Sequence, residues 1–502
     1  MKARFGYCAV FLISLLAAHW SFAQKNEQGT SVLWGIPNPN KGDDDQSVIL
    51  YASKDSLIVS RTEQNNSREV RGIVLELFNT LNFRIEKSQR INVSAYKNDV
   101  VRLVYSDISE GMIRMFLSRQ RKGERHISIM VHTLGLSFEE VSEGKELIRF
   151  YIPPPCSVYD WDMVCSESGN IFIVHPYGSE NKTEGLRFHT IEGQMQRKDY
   201  KEFNLTSKSG TIEQLEIHSA PDAYAVASAR ILMEDAPEKF MIFLSGEDFS
   251  DALEFSLGQG KRILEITAHE HPQGFSVSGL FSNEKKRNRC AGVFTGLYQT
   301  NAQMVDQLRY FNLVDLKEKN PGITATDNLP EDLFIKDIYG VGDTDFLICE
   351  QARDENICIS DPRTGFMRCN DYYYRNNILI FGIKNGQLAW KFSYPKRQTS
   401  VDDRGIYLSF CSFADEHGIS LIFNENKKNL PVSRGKTMEN VYKAECILLS
   451  LSTEGQFKTE PLYNNRDAEV ILRPELHATL PNGEWIIYAE KGKGYKFGKL
   501  NR

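Results

Sequence analysis

Beyond residue 23, apolar and polar positions alternate with a period of about two, and no sustained helical periodicity follows. Runs such as Val100 to Tyr105, Met112 to Ser118, Asn170 to His175, Phe240 to Leu244, Gly274 to Phe281, Gln387 to Phe392 and Trp485 to Ala489 read as strands. Three connections share one formula: Thr190-Ile191-Glu192-Gly193-Gln194-Met195, Ile383-Lys384-Asn385-Gly386-Gln387-Leu388 and Thr453-Glu454-Gly455-Gln456-Phe457. In each, an apolar run enters Asn-Gly or Glu-Gly and leaves through Gln and an apolar residue. A short turn that matches the twist of its strands needs positive φ, which Gly and Asn tolerate, so these segments predict hairpins.

Grouped by their turns, the strands fall into units beginning near residues 98, 160, 212, 262, 333, 401 and 470, a spacing of roughly 50 to 70 residues. Units of that size with about four strands each predict an all-β fold, a β-propeller of about seven four-stranded blades, with six or eight as the neighbouring solutions. The last unit supplies three strands: Glu469 to Pro474, Trp485 to Ala489 and Tyr495 to Leu500. Its fourth is expected from the N-terminal region, where Ser47 to Ser53 and Ser56 to Ser60 read as strands; pairing of N- and C-terminal strands would close the ring and remove its free edges. Two separate β domains are the alternative for so long a chain. No long Pro/Gly/Ser linker divides it, and a ring avoids the single-core size limit by repeating small sheet-to-sheet interfaces. The expected organisation is a signal peptide over 1–23, a flexible N-terminal segment over 24–46 and a single propeller over 47–502.

Lys2 and Arg4 precede an apolar run from Phe5 to Ala18, and Ser21-Phe22-Ala23 is a small-x-small cleavage pattern. Cleavage is expected before Gln24. A membrane anchor would need about 20 apolar residues, and His19, Trp20 and Ser21 interrupt the run first. The mature chain is therefore expected to be exported to the periplasm or the cell exterior, without membrane insertion. The formal charge of the full chain is -6, and loss of the leader removes two basic residues and no acid. An acidic balance gives no support for nucleic-acid binding.

Cys8 lies in the leader. Cys156, Cys165, Cys290, Cys349, Cys358, Cys369, Cys411 and Cys446 remain, far below the density of a disulfide-built fold. The best candidate pair is Cys349 and Cys358, whose apolar flanks enclose the polar segment Gln351 to Asn356 and would face each other across a hairpin. Cys156 and Cys165 have the same spacing. No C-x-x-C pair supports zinc.

Recognisable chemistry is sparse. His269-Glu270-His271 is the one tight cluster of metal-ligand types, but Pro272 and Gly274 follow and no third ligand is identified, so a polar turn is the expected reading. Asp43-Asp44-Asp45, Asp343-Thr344-Asp345 and Asp402-Asp403 lack calcium-loop spacing. The basic stretches Arg119 to Arg125 and Lys285 to Arg289 are no longer than strand-joining loops. No G-x-S-x-G elbow, H-E-x-x-H helix or P-loop is present. No catalytic residue, metal or cofactor is assigned. The remaining ligand-binding candidates are Tyr372, Tyr373, Tyr374 and Arg375, whose rings and guanidinium suit sugar or peptide recognition, and Trp161 between Asp160 and Asp162. Packing between blades is the competing role for all these rings.

The stretch Asn377-Ile378-Leu379-Ile380-Phe381 through Asn385-Gly386-Gln387-Leu388-Ala389-Trp390 to Gln398, the segment Leu421 to Leu430 and the ending Tyr488 to Gly498 resemble uncharacterised exported β-propeller-like proteins of Gram-negative bacteria. The resemblance covers roughly the last third of the chain. It implies export and a β fold and carries over no catalytic residues. Trp161-Asp162 lacks the rest of a WD repeat, and no S-x-D-x-G-x-T-W box is present. The expected function is a non-enzymatic binding or scaffold propeller recognising an envelope protein, peptide or glycan. A carbohydrate-active hydrolase or lyase with its site on the propeller axis is the alternative, and a structural subunit of an envelope assembly a third.

Overall fold

The computed structural model describes residues 23–25, 30–39, 46–64, 70–92, 99–109, 111–166, 169–180, 182–192, 198–205, 210–219, 224–233, 239–246, 250–255, 257, 260–271, 274–283, 289–299, 304–305, 308–313, 331–360, 363, 366–430, 436–492 and 494–501. The expected leader through residue 22, the turn at Gly193-Gln194, Asp43 to Asp45, Lys285 to Arg287 and the connection Lys317 to Leu329 lie outside them.

Period-two alternation becomes eight antiparallel sheets, each of at least four strands; seven take their strands in sequence order, and the eighth joins N-terminal strands to the last three. The first strands of the sheets are Gln46–Ala52, Asp99–Ser109, Asp162–Cys165, Gly210–Ser219, Lys261–His271, Leu333–Val341, Cys411–Asp415 and Ile471–Thr479. Each lies against the first strand of the next sheet, and Ile471–Thr479 lies against Gln46–Ala52, which closes the circle. The chain is an all-β propeller of eight blades, numbered here from Gln46–Ala52.

The core is a ring of sheet-to-sheet interfaces. Leu75 and Met115 pack between blades 1 and 2, Ile173, Phe188 and Phe243 through blades 3 and 4, and Val277 with Ile242 between 4 and 5. Leu280 and Leu347 join 5 to 6, Phe346 and Leu421 join 6 to 7, Phe413 and Trp485 join 7 to 8, and Phe78 and Phe497 join 8 to 1. No single core must span the molecule, which is how one domain accommodates this length.

The ring closes through an N-terminal strand, though not the one the alternation suggested. Ser31–Trp34 pairs with Gly494–Asn501, in register from Ser31 opposite Asn501 to Trp34 opposite Gly498. It is the fourth strand of blade 8, with Val32 fully buried and Trp34 only 6% exposed, and Ala23–Lys25 pairs along its outer side. Residues 31–34, from the segment 24–46, thus belong to the sheet of blade 8. Gln46–Ala52 and Ser56–Gln64 are released from that closing role and start a complete blade with Val70–Asn79 and Ile85–Asn92, which raises the count from about seven to eight.

Both described Gly-Gln turns are outer hairpins, joining third strand to fourth. Asn385 (φ 50°) and Gly386 (φ 67°) form a two-residue turn between Met367–Lys384 and Gln387–Tyr394 in blade 6. Gly455 (φ 74°) turns the chain between Glu445–Ser452 and Phe457–Asn464 in blade 7. They lock together: the Trp390 indole donates to the Thr453 carbonyl at 2.9 Å, and a Cβ on Gly455 would stand 2.8 Å from that ring.

Candidate functional site

Two strands of blade 6 break the pattern of the ring. Thr344–Ser360 and Met367–Lys384 run for 17 and 18 residues, against 8 each for their counterparts Gly418–Glu425 and Glu445–Ser452 in blade 7. Their inner halves belong to the blade, where Thr344 to Gln351 pairs with Leu333–Val341. A register shift after Glu350 marks the blade's edge, and pairing continues from Ala352 opposite Arg375 to Ser360 opposite Met367. At ~3.3 Å per residue this makes a two-stranded arm on the order of 30 Å long.

The arm ends in exposed apolar side chains. Ile357, Ile359, Phe366 and Met367 are 37%, 66%, 78% and 65% exposed. A disulfide joins Cys358 to Cys369, which face each other in the ladder. This corrects the expected pairing of Cys349 with Cys358. Cys349 sits in the buried inner half of the same strand and is a free thiol, because Gln351 to Asn356 is continuous strand and not a turn. The chain reverses ten residues later, between Ser360 and Met367, where Asp361-Pro362 and Gly365 are turn-forming residues in the sequence. That composition and the 11-residue spacing of the two cysteines were the available signal for the arm.

The tyrosine cluster lies on the arm's returning strand, and alternation divides it between two faces. Tyr372 and Tyr374 stand side by side with rings 6.4 Å apart and nearly parallel, on the face shared by Arg353, Glu355 and Arg368. Tyr373 points the other way and packs with Leu408, Met438 and Ala444. Arg375 pairs with Asp354 at 2.6 Å and donates to the Tyr374 carbonyl. Tyr373 and Arg375 therefore hold the arm, while Tyr372 and Tyr374 remain available on its surface.

A buried polar framework supports the arm's base. The crossover from blade 6 to blade 7 adds Gln398–Val401 beside Tyr372 to Arg375. Lys396 is fully buried, with its ammonium 2.5 Å from Glu350 and 2.8 Å from the Gln398 side-chain oxygen. Burial pulls its pKa down, opposed by the Glu350 charge. Glu350 also accepts from the Ser409 hydroxyl, and Gln398 donates to the Asn424 carbonyl at 2.6 Å. The Asp371 amide donates to the Asp402 carboxylate, and the Asp402 amide returns a bond to the Asp371 carbonyl. These bonds fix the direction in which the arm leaves the blade.

A second group of residues follows the axis. Asp162, Glu216, Glu265 and Asp337 come from the first strands of blades 3 to 6. Burial raises the pKa of each, and Glu265 is pushed up to about 7. Three of them tie one blade to the next: Asp162 accepts from the Ile217 amide at 2.8 Å, Glu265 accepts from the Ile335 amide at 2.7 Å, and Asp337 accepts from the Ser412 hydroxyl. Inner strands are sheet edges with unpaired N–H groups, and these carboxylates satisfy some of them.

Trp161 lies apart from both groups, on the crossover from blade 2 to blade 3. It packs edge-on against Phe150 at 5.6 Å and lines a small cavity with Arg102, whose guanidinium stacks 4.3 Å above Tyr159. The structure does not bring Trp161 together with the tyrosine cluster. His269 faces Asp345 of blade 6 at 3.0 Å, from within the strand Lys261–His271 and not from a turn. Among the described residues, no three His, Cys, Asp or Glu side chains are grouped to hold a metal ion. No described helix is long and apolar enough to cross a membrane.

No family model and no curated protein matches the chain. Among solved structures it is similar to the Dos1 propeller, at 6% identity and a TM-score of 0.41, covering 93% of this chain and 95% of that one. It is also similar to the WD40 domain of SCAP from fission yeast, at 10% identity, TM-score 0.36, with 93% and 98% covered. A third similar structure is the polysaccharide lyase Uly1, at 9% identity, TM-score 0.37, with 90% and 89% covered.

Proposed function

We propose that the protein is an exported, non-enzymatic binding propeller of the periplasm or cell surface, akin to the uncharacterised Gram-negative group its last third resembles, and that it recognises a protein partner through the blade 6 arm. The observation that carries this reading is the arm's combination of apolar tip and free strand edge. Beyond the Ala352 amide, which donates to the Asp332 carbonyl, the outer edge from Arg353 to Ser360 meets no ladder partner among the described residues. Such an edge accepts an added strand, with main-chain bonds giving affinity and alternate side chains giving specificity. The disulfide and the buried base reduce the ordering cost of binding. The partner segment expected is extended, with apolar residues at alternate positions to meet Ile357 and Ile359.

A photocrosslinking side chain at Ile359 tests this in the producing envelope, with one at Asn482, in a short turn of blade 8, as control. The expected result is a discrete protein adduct from the arm alone. It should disappear when Asn356→Pro removes an outward-facing N–H and blocks the edge, while the melting temperature stays unchanged. Identical adducts from both positions, or an arm adduct that survives Asn356→Pro, would refute the reading.

One observation favours an axial carbohydrate-active site: Glu265 at about 7 lies in the range of a general acid. The binding reading is preferred because Asp162, Glu265 and Asp337 are already committed as acceptors between blades. Turnover of any polysaccharide that is abolished by Glu216→Gln in a folded protein would reverse that preference.

A further inference from the structure

The axis is asymmetric. On the side of blades 8, 1 and 2, away from the acids, the inner strands enclose a cavity of about 430 Å³. Its shape originates in irregular pairing. In blade 8, Leu472 is opposite Ala489 and the next aligned residue is His477 opposite Ile487, so residues 473–476 face Tyr488 alone. Smaller shifts interrupt blade 1 between Ile49 and Tyr51 and blade 2 between Leu103 and Tyr105. Bulges of this kind re-aim side chains and are frequent beside ligand sites.

The re-aimed residues form a wall of mixed chemistry. Val48, Leu103 and Val104 supply an apolar surface, and Ser47, Thr62 and Ser106 supply hydroxyls. Arg473 and Glu475, two residues apart on the bulge, add one charge of each sign. Arg473 is 3% exposed, and its guanidinium is held 3.7 Å from Glu490. Glu490 is itself fixed by the hydroxyls of Tyr407 at 3.2 Å and Tyr488 at 2.9 Å. Arg473 is therefore a positioned donor, and Glu475, on the exposed side of the bulge, is an acceptor.

We propose that this cavity binds a neutral sugar, a single hexose or the end of a glycan. Sugar hydroxyls both donate and accept, matching a carboxylate and a guanidinium in one wall. The apolar C–H face of a pyranose matches Val48, Leu103 and Val104. The Arg473 charge is already met by Glu490, so the remaining carboxylate, Glu475, disfavours an anionic ligand, and the volume falls within the ~300–1,000 Å³ of small-molecule sites. This inference is independent of the arm, which lies on blade 6.

Saturation-transfer NMR on the mature protein tests it with glucose, galactose, mannose and N-acetylglucosamine as neutral probes, and glucuronate and glucosamine as charged ones. At least one neutral sugar should receive transfer, with a dissociation constant on the order of 1 mM, and should do so at least 5-fold more strongly than glucuronate. Val48→Trp, which fills the cavity from an exposed position, should abolish the signal, and Glu475→Ala should reduce it at least 5-fold. Unchanged melting temperatures would show that both variants are folded; Ile359→Asp, on the arm, should leave the signal intact. Absence of transfer to every neutral sugar, transfer confined to a charged sugar, or transfer that persists in folded Val48→Trp would each overturn the proposal.

Discussion

Closure through residues 31–34 makes a quantitative prediction at Trp34. The indole is 6% exposed, meets Tyr463 edge-on at 5.1 Å, and packs so closely on Gly498 that a Cβ there would stand 2.8 Å from it. Truncating a buried aromatic to alanine costs about 3–5 kcal/mol in lost transfer energy and residual cavity. The Trp34 indole N–H has no hydrogen-bond partner among the described residues. Leaving a buried donor unpaired costs about 1–3 kcal/mol, so Trp34→Phe removes a penalty along with part of the packing. Trp34→Ala should therefore lower stability by about 3–5 kcal/mol, and Trp34→Phe by less than about 1 kcal/mol. Urea unfolding followed by circular dichroism measures both, with hydrogen exchange at Gly494–Asn501 reporting whether the seam opens first. A large ring need not unfold in one step, so the earliest transition is the one to compare. If Trp34→Ala stays within about 1 kcal/mol of the parent, the ring does not depend on this strand. If the phenylalanine variant is as damaged as the alanine one, the argument from the unpaired N–H is wrong.

Other expectations follow from the same structure. Burial holds both Glu265 and Glu425 at about 7 in the fold, against an ordinary 4.5, so the folded state keeps protons that the unfolded chain has released. Their contribution is present at low pH and lost as pH rises toward about 7; urea midpoints should fall over this window, and Glu265→Gln with Glu425→Gln should flatten the slope. Lys396→Met strands the buried Glu350 carboxylate and should cost about 3–5 kcal/mol, most of it recovered in the double variant with Glu350→Gln, as a thermodynamic cycle would show. Replacing Cys358 and Cys369 with serine should remove about 3 kcal/mol of loop-closure stabilisation from the arm alone. Limited proteolysis should then cut between residues 353 and 370 while the ring's melting temperature is unchanged.

Much of the fold was legible because blade architecture is written locally. Asn385-Gly386 predicted its own hairpin, and six of the seven unit starts lie within two residues of an inner strand. Blade count was harder to read because it depends on which distant segments pair. Ser31–Trp34 is only four residues long, and its role is set by the vacant edge of Gly494–Asn501, nearly 470 positions away. Ile85–Asn92 was hidden for another reason: Glu86, Lys87, Ser88, Gln89 and Arg90 are polar, as an outermost strand permits. The candidate site divided along the same line. The tyrosines were found as a cluster, but which of them pack and which stand free depends on the crossover Gln398–Val401, a neighbour in space. The Cys349–Cys358 expectation failed because it took a polar stretch for a turn, when an exposed arm strand has no core face to keep apolar. The cavity at Arg473 and Glu475 left no mark in the sequence, since bulges arise from register between strands.

The two ends of the ring divide the work. Inner strands begin at the crossover end, so the first-to-second and third-to-fourth turns meet at the opposite end. In blades 6 and 7 those turns are short, at 342–343, 385–386, 416–417 and 453–456, and Trp390 fastens two of them. At the crossover end, the same blades carry the arm, the loop of residues 402–410 and the connection from Glu425 to Glu445. Asp402, Arg404 and Ser409 there have positive φ, a conformation non-glycine residues adopt only when their surroundings hold them in it. Ser409 is held by the buried Lys396, Glu350 and Gln398 framework through its amide and hydroxyl, and Asp402 by its two bonds to Asp371. Unlike a core of hydrocarbon, such a framework specifies one geometry at the expense of desolvated charge. A loop end serving only to connect strands would have no use for that geometry, whereas an arm proposed to meet a partner in a fixed direction requires it.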